Sequence, residues 1–366
     1  MSAAVRPAAA RLMEGSEAIA EAAIAAGCRF FAGYPMTPFT ELLESFAAKL
    51  PDAGGVCINA ESELEAIGMA WGAAATGARA ATGSTGQGLA LMQESISELA
   101  RAELPVVLFN MARGQADYFQ ATRGGGHGDY RHLVLAPIDS AEAVALTQCA
   151  FDKADAWRGP VMVYGDYLLA HTAQAVRIPT PSGPPRPAPD WAVDGSLGGT
   201  GRSRNVNPIG MRKGEKGIEP EPFWRRLQAK WDAMAAAEAR LEADHCQDAQ
   251  LVVVAVGSLA RFARFAVDEL RADGLRVGLA RPVTLWPFPA AALDAATQRA
   301  RRVAVLEQNA GQMIDDVRLA VLGRVPVVPI GGISSDAAGF GLGPLLDPDV
   351  VRDRVRRAHA GEEVRT

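Results

Sequence analysis

Four short segments in the first third of the chain carry the side chains from which chemistry could be built: residues 33–37, 59–63, 83–88 and 110–114. Together they offer a hydroxyl (Thr37), two carboxylates (Glu61 and Glu63), a glycine-rich turn full of backbone N–H groups, and a guanidinium (Arg113). A carboxylate and an arginine in one crevice suit an anionic substrate and proton transfer. Each piece also has a plainer use. Acidic residues at a helix start complement the helix dipole. Gly83-Ser84-Thr85-Gly86-Gln87-Gly88 is neither GxGxxG nor a Walker A loop. Alone it is a strand-to-helix turn with some capacity for anions. An arginine after a strand is commonly a surface ion-pair residue. Residue types alone therefore stop at a ligand-binding α/β protein with the makings of an enzyme.

The elements that must position these segments follow from hydrophobic periodicity and from turn residues. The pattern predicts a helix over 15–27, a strand over 28–32, and a turn in which Thr37 caps a second helix and Pro38 opens it. A strand over 56–59, a helix over 61–76 closed by Gly77, and a strand over 79–82 come next. The glycine turn leads into a helix ending near Leu99. Strands over 105–111 and 160–164 flank a helix over 140–157. Alternation of this kind means a parallel sheet covered by helices on both faces, with ligands beyond the C-terminal strand ends.

Residues 178–222 are rich in proline and glycine, and read as an irregular linker. One amphipathic helix is expected over 221–243. A second α/β block then runs through strands at 251–256, 277–280, 303–306 and 325–328, with helices at 258–273, 290–299 and 312–322. The expected organisation is a flexible tail (1–13), a first domain (14–177), a linker with its helix (178–245) and a smaller doubly wound domain (246–366).

Composition narrows the function classes. The chain has 366 residues, 49% hydrophobic and 22% charged, as expected of globular domains large enough to bury cores. A formal net charge of −5 gives no electrostatic reason to expect nucleic acid. The apolar run 251–256 is far short of the ~20 residues that span a bilayer. Residues 1–13 lack the apolar core of a signal peptide, so a cytoplasmic protein is expected. Cys28, Cys57, Cys149 and Cys246 are scattered and form no CxxC. The expectation is buried thiols in a reducing compartment and no metal site in this chain.

Seven segments, in order, carry a resemblance to a known family. They are Gly15-Ser16-Glu17-Ala18-Ile19-Ala20, Phe31-Ala32-Gly33-Tyr34-Pro35-Met36-Thr37-Pro38, and Glu61-Ser62-Glu63 ahead of Ala66-Ile67-Gly68-Met69-Ala70. Ala116-Asp117-Tyr118-Phe119-Gln120-Ala121-Thr122 and Gly124-Gly125-Gly126-His127-Gly128-Asp129-Tyr130 follow. The last two are Arg281-Pro282-Val283-Thr284-Leu285-Trp286-Pro287-Phe288-Pro289 and Glu307-Gln308-Asn309-Ala310-Gly311-Gln312-Met313. The ordered set resembles the α subunits of 2-oxoacid:ferredoxin oxidoreductases over about residues 14–332. The 124–130 and 281–289 segments most resemble the branched-chain, 2-oxoisovalerate type.

The resemblance implies a fold and an activity. The fold would be a thiamine diphosphate pyrimidine-binding domain followed by a smaller transketolase C-terminal-like domain. The activity would be oxidative decarboxylation of a 2-oxoacid with coenzyme A, giving an acyl-CoA and carbon dioxide, with electrons passing to ferredoxin. Thiamine diphosphate would be shared with a β subunit that also holds Mg²⁺ and a 4Fe–4S cluster. Partner γ and ferredoxin-like δ subunits stay open. Glu63 falls at the family's glutamate, whose carboxylate bonds the cofactor's pyrimidine and favours the imino tautomer. Thr37 and Arg113 match the residues that take the substrate carboxylate. Tyr34, Pro35, Ser84 and Gly86 fall in the cofactor-binding segments.

The chain also departs from the family. About ten residues of a Gly/Pro-rich loop are missing after Arg113, where only Gly114 and Gln115 stand before the 116–122 segment. Phe39 replaces a small hydroxyl residue, and core packing is expected of it. A non-catalytic scaffold chain, and a subunit of a different thiamine enzyme, are the alternative readings.

Overall fold

A computed structural model of the chain describes residues 9–179, 189, 191–193, 220–333 and 347–364. The first half contains β1 (Arg11–Glu14), α1 (Gly15–Ala25), β2 (Phe30–Gly33), α2 (Thr40–Lys49), β3 (Val56–Asn59) and α3 (Glu63–Ala75). It continues through β4 (Ala80–Ser84), α4 (Gly86–Ala102), β5 (Val106–Ala112), α5 (Tyr118–Thr122), β6 (Leu133–Leu135) and α6 (Ser140–Trp157). Next come β7 (Val161–Asp166), α7 (Tyr167–His171), β8 (Ala173–Val176), α8 (Pro220–Glu238) and β9 (Leu241–Asp244). The second half contains β10 (Leu251–Ala255), α9 (Ser258–Ala272), β11 (Val277–Pro282), β12 (Thr284–Trp286) and α10 (Ala290–Ala296). It ends with β13 (Arg302–Leu306), α11 (Met313–Val321), β14 (Val327–Pro329) and α12 (Pro348–Ala360).

Two sheets organise these elements. The larger has the order β12-β6-β7-β5-β4-β2-β3 and is parallel except for β12. The smaller has the order β14-β13-β10-β11-β9 and is parallel except for β9. The central strands are continuously buried. Every residue of β5 and β10 is inside, because helices cover both faces. In the large sheet, α3 and α4 pack with Val106 and Leu108 on one face, while α1, α2 and α6 pack with Val107 and Phe109 on the other. The small sheet divides the same way. Val253 and Ala255 meet α9 and α12, and Val252 and Val254 meet α11. The α/β class with two doubly wound parallel sheets is thus as the alternation predicts.

Several local expectations give way to tertiary context. The tail expected over 1–13 is not all tail, because β1 pairs antiparallel with β8 and buries Met13. Pro38 does not open the second helix. Thr37-Pro38 is a cis peptide, and α2 starts only at Thr40. The two extra turn residues, Pro38 and Phe39, let Phe39 drop into the core, fully buried between Phe31 and the glycines Gly33 and Gly83. Its expected packing role is what the structure shows. The helix expected over 61–76 starts at Glu63, capped by the Ser62 hydroxyl, which accepts from the Leu64 N–H. The helix expected over 221–243 stops at Glu238, and β9 then closes the small sheet against β11. The strand expected over 277–280 runs on to Pro282 as β11, and β12 then crosses to pair with β6 of the large sheet. Most of the linker expected over 178–222 lies outside the described residues.

A buried arginine fastens the two sheets. Arg281 donates from Nη1 and Nη2 to both oxygens of Glu142 on α6 (3.0 and 2.9 Å), and from Nε to Glu242 on β9 at 2.6 Å. A guanidinium can serve two carboxylates at once because its donors form a fixed fork.

Candidate active site

In the large sheet β2, β3, β4 and β5 lie side by side in the order β5-β4-β2-β3. The four segments singled out from the sequence follow the C-terminal ends of these strands, so the fold brings them to one edge. The connection leaving β2 runs to β3 on one side, and the chain then returns to β4 on the other. The crevice between β2 and β4 is the switch point at which open parallel sheets bind ligands.

Glu63 stands at the start of α3 and is only 2% exposed. Its Oε1 accepts from the buried Ser84 hydroxyl at 3.0 Å. Among the described residues nothing else donates to this carboxylate. Gly88 lets the two side chains pack against α4, since a Cβ there would run into Ser84 Oγ and Glu63 Oε1. A buried carboxylate with one oxygen fixed by a hydroxyl has its second oxygen left for another hydrogen-bond partner.

Arg113 follows β5. Its Nε donates to the Thr37 carbonyl and its Nη1 to Gln87 Oε1, each at 3.0 Å. Among the described residues no group accepts from Nη2. The guanidinium is thus aimed by two neutral acceptors, which leaves Nη2 for an anion. Beside it, Asp117 is 6% exposed and accepts from the Gly86 N–H at 2.9 Å. Burial pushes the Asp117 carboxyl upward, and the Gly86 N–H, the Asn110 amide and Arg113 only partly oppose this. A cavity of about 400 Å³ opens here, lined by Thr85, Gln87, Ala90, Arg113, Asp117 and Gln120 among others.

The predicted site residues therefore fall into four groups. Glu63 joins Ser84, and Arg113 joins Thr37. Gly86 sits at the cavity with φ +47° and its N–H engaged by Asp117. Tyr34 and Pro35 are exposed just past the end of β2 and, among the described residues, make no hydrogen bond to the other predicted site residues. Glu61 is exposed ahead of the Ser62 cap. Asp117, Gln87 and Gly88 were not singled out from the sequence. Asp117 lay inside the quoted 116–122 segment without a role, and an acidic residue four positions after Arg113 was the available signal. The four cysteines are free thiols, and burial pushes Cys28 up to about 12 and Cys57 and Cys246 up to about 11.

Comparison with known proteins decides the family. Residues 21–189 match the model described as pyruvate flavodoxin/ferredoxin oxidoreductase, thiamine diP-bdg, and residues 249–337 match pyruvate:ferredoxin oxidoreductase core domain II. The chain is 39% identical to a ketoisovalerate oxidoreductase subunit of Methanothermobacter marburgensis, over 85% of this chain and 90% of that one. The chain belongs to the 2-oxoacid:ferredoxin oxidoreductase family. It is an α-type subunit of such an oxidoreductase, and its first half is a thiamine diphosphate-binding unit. A 2-oxoglutarate synthase subunit of Methanothermobacter thermautotrophicus is 35% identical over 87% of this chain and 94% of that one. Among solved structures, a 2-oxoglutarate:ferredoxin oxidoreductase from Magnetococcus marinus superposes with a TM-score of 0.81 at 26% identity, covering 98% of this chain and 67% of that one. A split-gene transketolase shares the fold, with a TM-score of 0.57 at 17% identity over 96% of this chain and 99% of that one. Among the described residues no helix is long and apolar enough to cross a membrane.

Proposed function

We propose that this oxidoreductase subunit supplies the pyrimidine side of a thiamine diphosphate site and the carboxylate-binding arginine for a 2-oxoacid. The observation that carries the proposal is the buried Glu63 carboxylate, held by Ser84 at the switch point, with Arg113 on the neighbouring segment. Bound thiamine diphosphate supplies the carbon nucleophile that adds to the 2-oxo group and the electron sink for decarboxylation. Glu63 would hold the pyrimidine ring nitrogen and share its proton. Ser84 keeps that carboxyl in one orientation, and the start of α3 makes the mounting rigid. Gly86 leaves room for close approach, and Tyr34 and Pro35 follow the end of the adjacent strand β2. Arg113 Nη2 takes the substrate carboxylate, with Thr37 beside it.

One 2-oxoacid and one coenzyme A thiol give one acyl-CoA, carbon dioxide and a proton. The two electrons released reduce two ferredoxins. A β subunit supports the diphosphate, Mg²⁺ and a 4Fe–4S cluster, in a cytoplasmic complex. The face of α3 next to Glu63 supports a partner chain. Leu64 and Met69 are exposed there, Gly68 and Gly72 have no neighbour within 4 Å of a built Cβ, and Leu91 of α4 is exposed as well. Branched-chain oxoacids and 2-oxoglutarate are the first substrates to assay, since relatives of both names are similar to this chain.

Anaerobic co-expression with the β subunit, then coenzyme A-dependent dye reduction with a panel of 2-oxoacids, tests the proposal. Turnover with one oxoacid class, reduced about 10²–10⁴-fold in Glu63→Gln, is expected for loss of a proton-transfer group. Near-native turnover by Glu63→Gln in a thiamine-loaded complex would remove Glu63 from the mechanism.

A further inference from the structure

The loop that follows Arg113 is held by the second half of the chain. One residue, Gly114, separates Arg113 from Gln115, and Gln115 is 2% exposed. All four hydrogen-bonding groups of Gln115 meet residues after β10 or β13 of the small sheet. Its N–H donates to the Gln308 carbonyl at 3.2 Å, and its carbonyl accepts from Asn309 Nδ2 at 2.9 Å. Its side-chain Oε1 accepts from the Gln308 N–H at 3.1 Å, and its Nε2 donates to the Val256 carbonyl at 2.9 Å. The contact continues past Gln115. Gln312 Nε2 donates to the Ala116 carbonyl at 2.9 Å, and Gln312 Oε1 accepts from the Phe119 N–H at 2.8 Å. Gly257 belongs to the same seam, where a built Cβ would lie 3.7 Å from Gln115 Nε2.

A loop this short has few ways to reach its next anchor, so fixing Gln115 fixes the chain on which Arg113 stands. We infer that Gln115 is a positioning residue for the substrate carboxylate. It ties the Arg113 loop to the small sheet and so sets where the guanidinium points. This rests on the role proposed above for Arg113. The second domain then acts on substrate binding without touching substrate.

A mutant cycle in the assembled complex tests the role. Gln115→Ala, Arg113→Ala and the double variant are compared for kcat and KM with the oxoacid and, separately, with coenzyme A. Thiamine diphosphate content and thermal melting are followed alongside. A displaced binding group costs on the order of 10- to 100-fold, so Gln115→Ala should lower kcat/KM for the oxoacid by that factor, through KM. KM for coenzyme A and thiamine content should not change. In the Arg113→Ala background the Gln115 substitution should have little further effect, because the two act as one unit. The same fold-loss in both backgrounds, or an unchanged kcat/KM in a folded Gln115→Ala complex, would overturn the role. Where Gln115→Ala does not assemble, Asn309→Ala removes one of the four bonds from the other side and is judged by the same two criteria. A wild-type complex without oxoacid-dependent turnover overturns the functional reading, and this role with it. An active wild type with an indifferent Gln115→Ala overturns this role alone.

Discussion

Ser84 Oγ donates to Glu63 Oε1 across 3.0 Å, and both side chains are buried. The bond joins the last residue of β4 to the first residue of α3, on either side of the crevice that opens at the switch point. Ser84→Ala should therefore leave the fold intact and let the Glu63 carboxyl rotate. A lost neutral hydrogen bond is worth ~0.5–1.5 kcal/mol, so kcat should fall about 2- to 12-fold. Steady-state rates of the assembled complex check this. A Ser84→Ala variant as fast as wild type would show that the hydroxyl does not orient Glu63.

Arg113→Ala removes the donor proposed for the substrate carboxylate. Hydrogen bonds to charged groups contribute ~1.5–3 kcal/mol, which corresponds to a loss of about 10- to 150-fold in kcat/KM for the oxoacid. The loss should sit mainly in KM. Arg113→Lys should recover only part of it, since a point charge cannot bond both Thr37 and Gln87 while facing the substrate. An unchanged kcat/KM would reduce Arg113 to a loop fastener.

Gly88 reverses a common rule. Replacing a helical glycine with alanine ordinarily stabilises by ~0.5–1 kcal/mol. At Gly88 the new methyl would strike Ser84 Oγ and Glu63 Oε1, both immobile and buried. Gly88→Ala is expected to destabilise by about 1–3 kcal/mol and to reduce turnover as well. Thermal melting decides the sign, and a raised melting temperature would mean that the crevice accommodates the methyl.

His132 is 4% exposed and stacks on Tyr130, with ring centroids 6.2 Å apart. Burial, reinforced by Arg131, lowers its pKa from 6.5 to about 4. The sign follows. Between those two values the unfolded chain binds the proton and the folded chain does not, so stability falls as pH drops below 6.5 and is fully present above it. The loss should reach about 2 kcal/mol by pH 5. Denaturant midpoints measured at pH 7 and pH 5 should diverge in wild type and draw together in His132→Gln. Equal pH dependence in both proteins would place the proton elsewhere.

Much of this protein is written in local patterns. Apolar runs such as 251–256 and 105–111 mark strands buried on both faces, and glycines at helix ends mark where the chain turns back. Alternation alone then forces a parallel sheet and puts 33–37, 59–63, 83–88 and 110–114 at its C-terminal edge. Glu63, Thr37 and Arg113 could be singled out for that reason, and the order of the motifs pointed to the family.

Other features have no local signature. β9 and β12 are short segments that become strands only because β11 and β6 offer an open edge. The helix α2 starts at Thr40 and not at Pro38, because Phe39 sets the turn by seeking the core. Asp117 finds the N–H of Gly86 across 31 positions, and Gln115 finds Gln308 across 193. Hydrogen bonds between residues so far apart leave no period or spacing in the sequence. The first joins two loops that adjacent strands of the large sheet bring together, and the second joins loops of two sheets that pack against each other; in both, buried polar groups pair with whatever the packing presents.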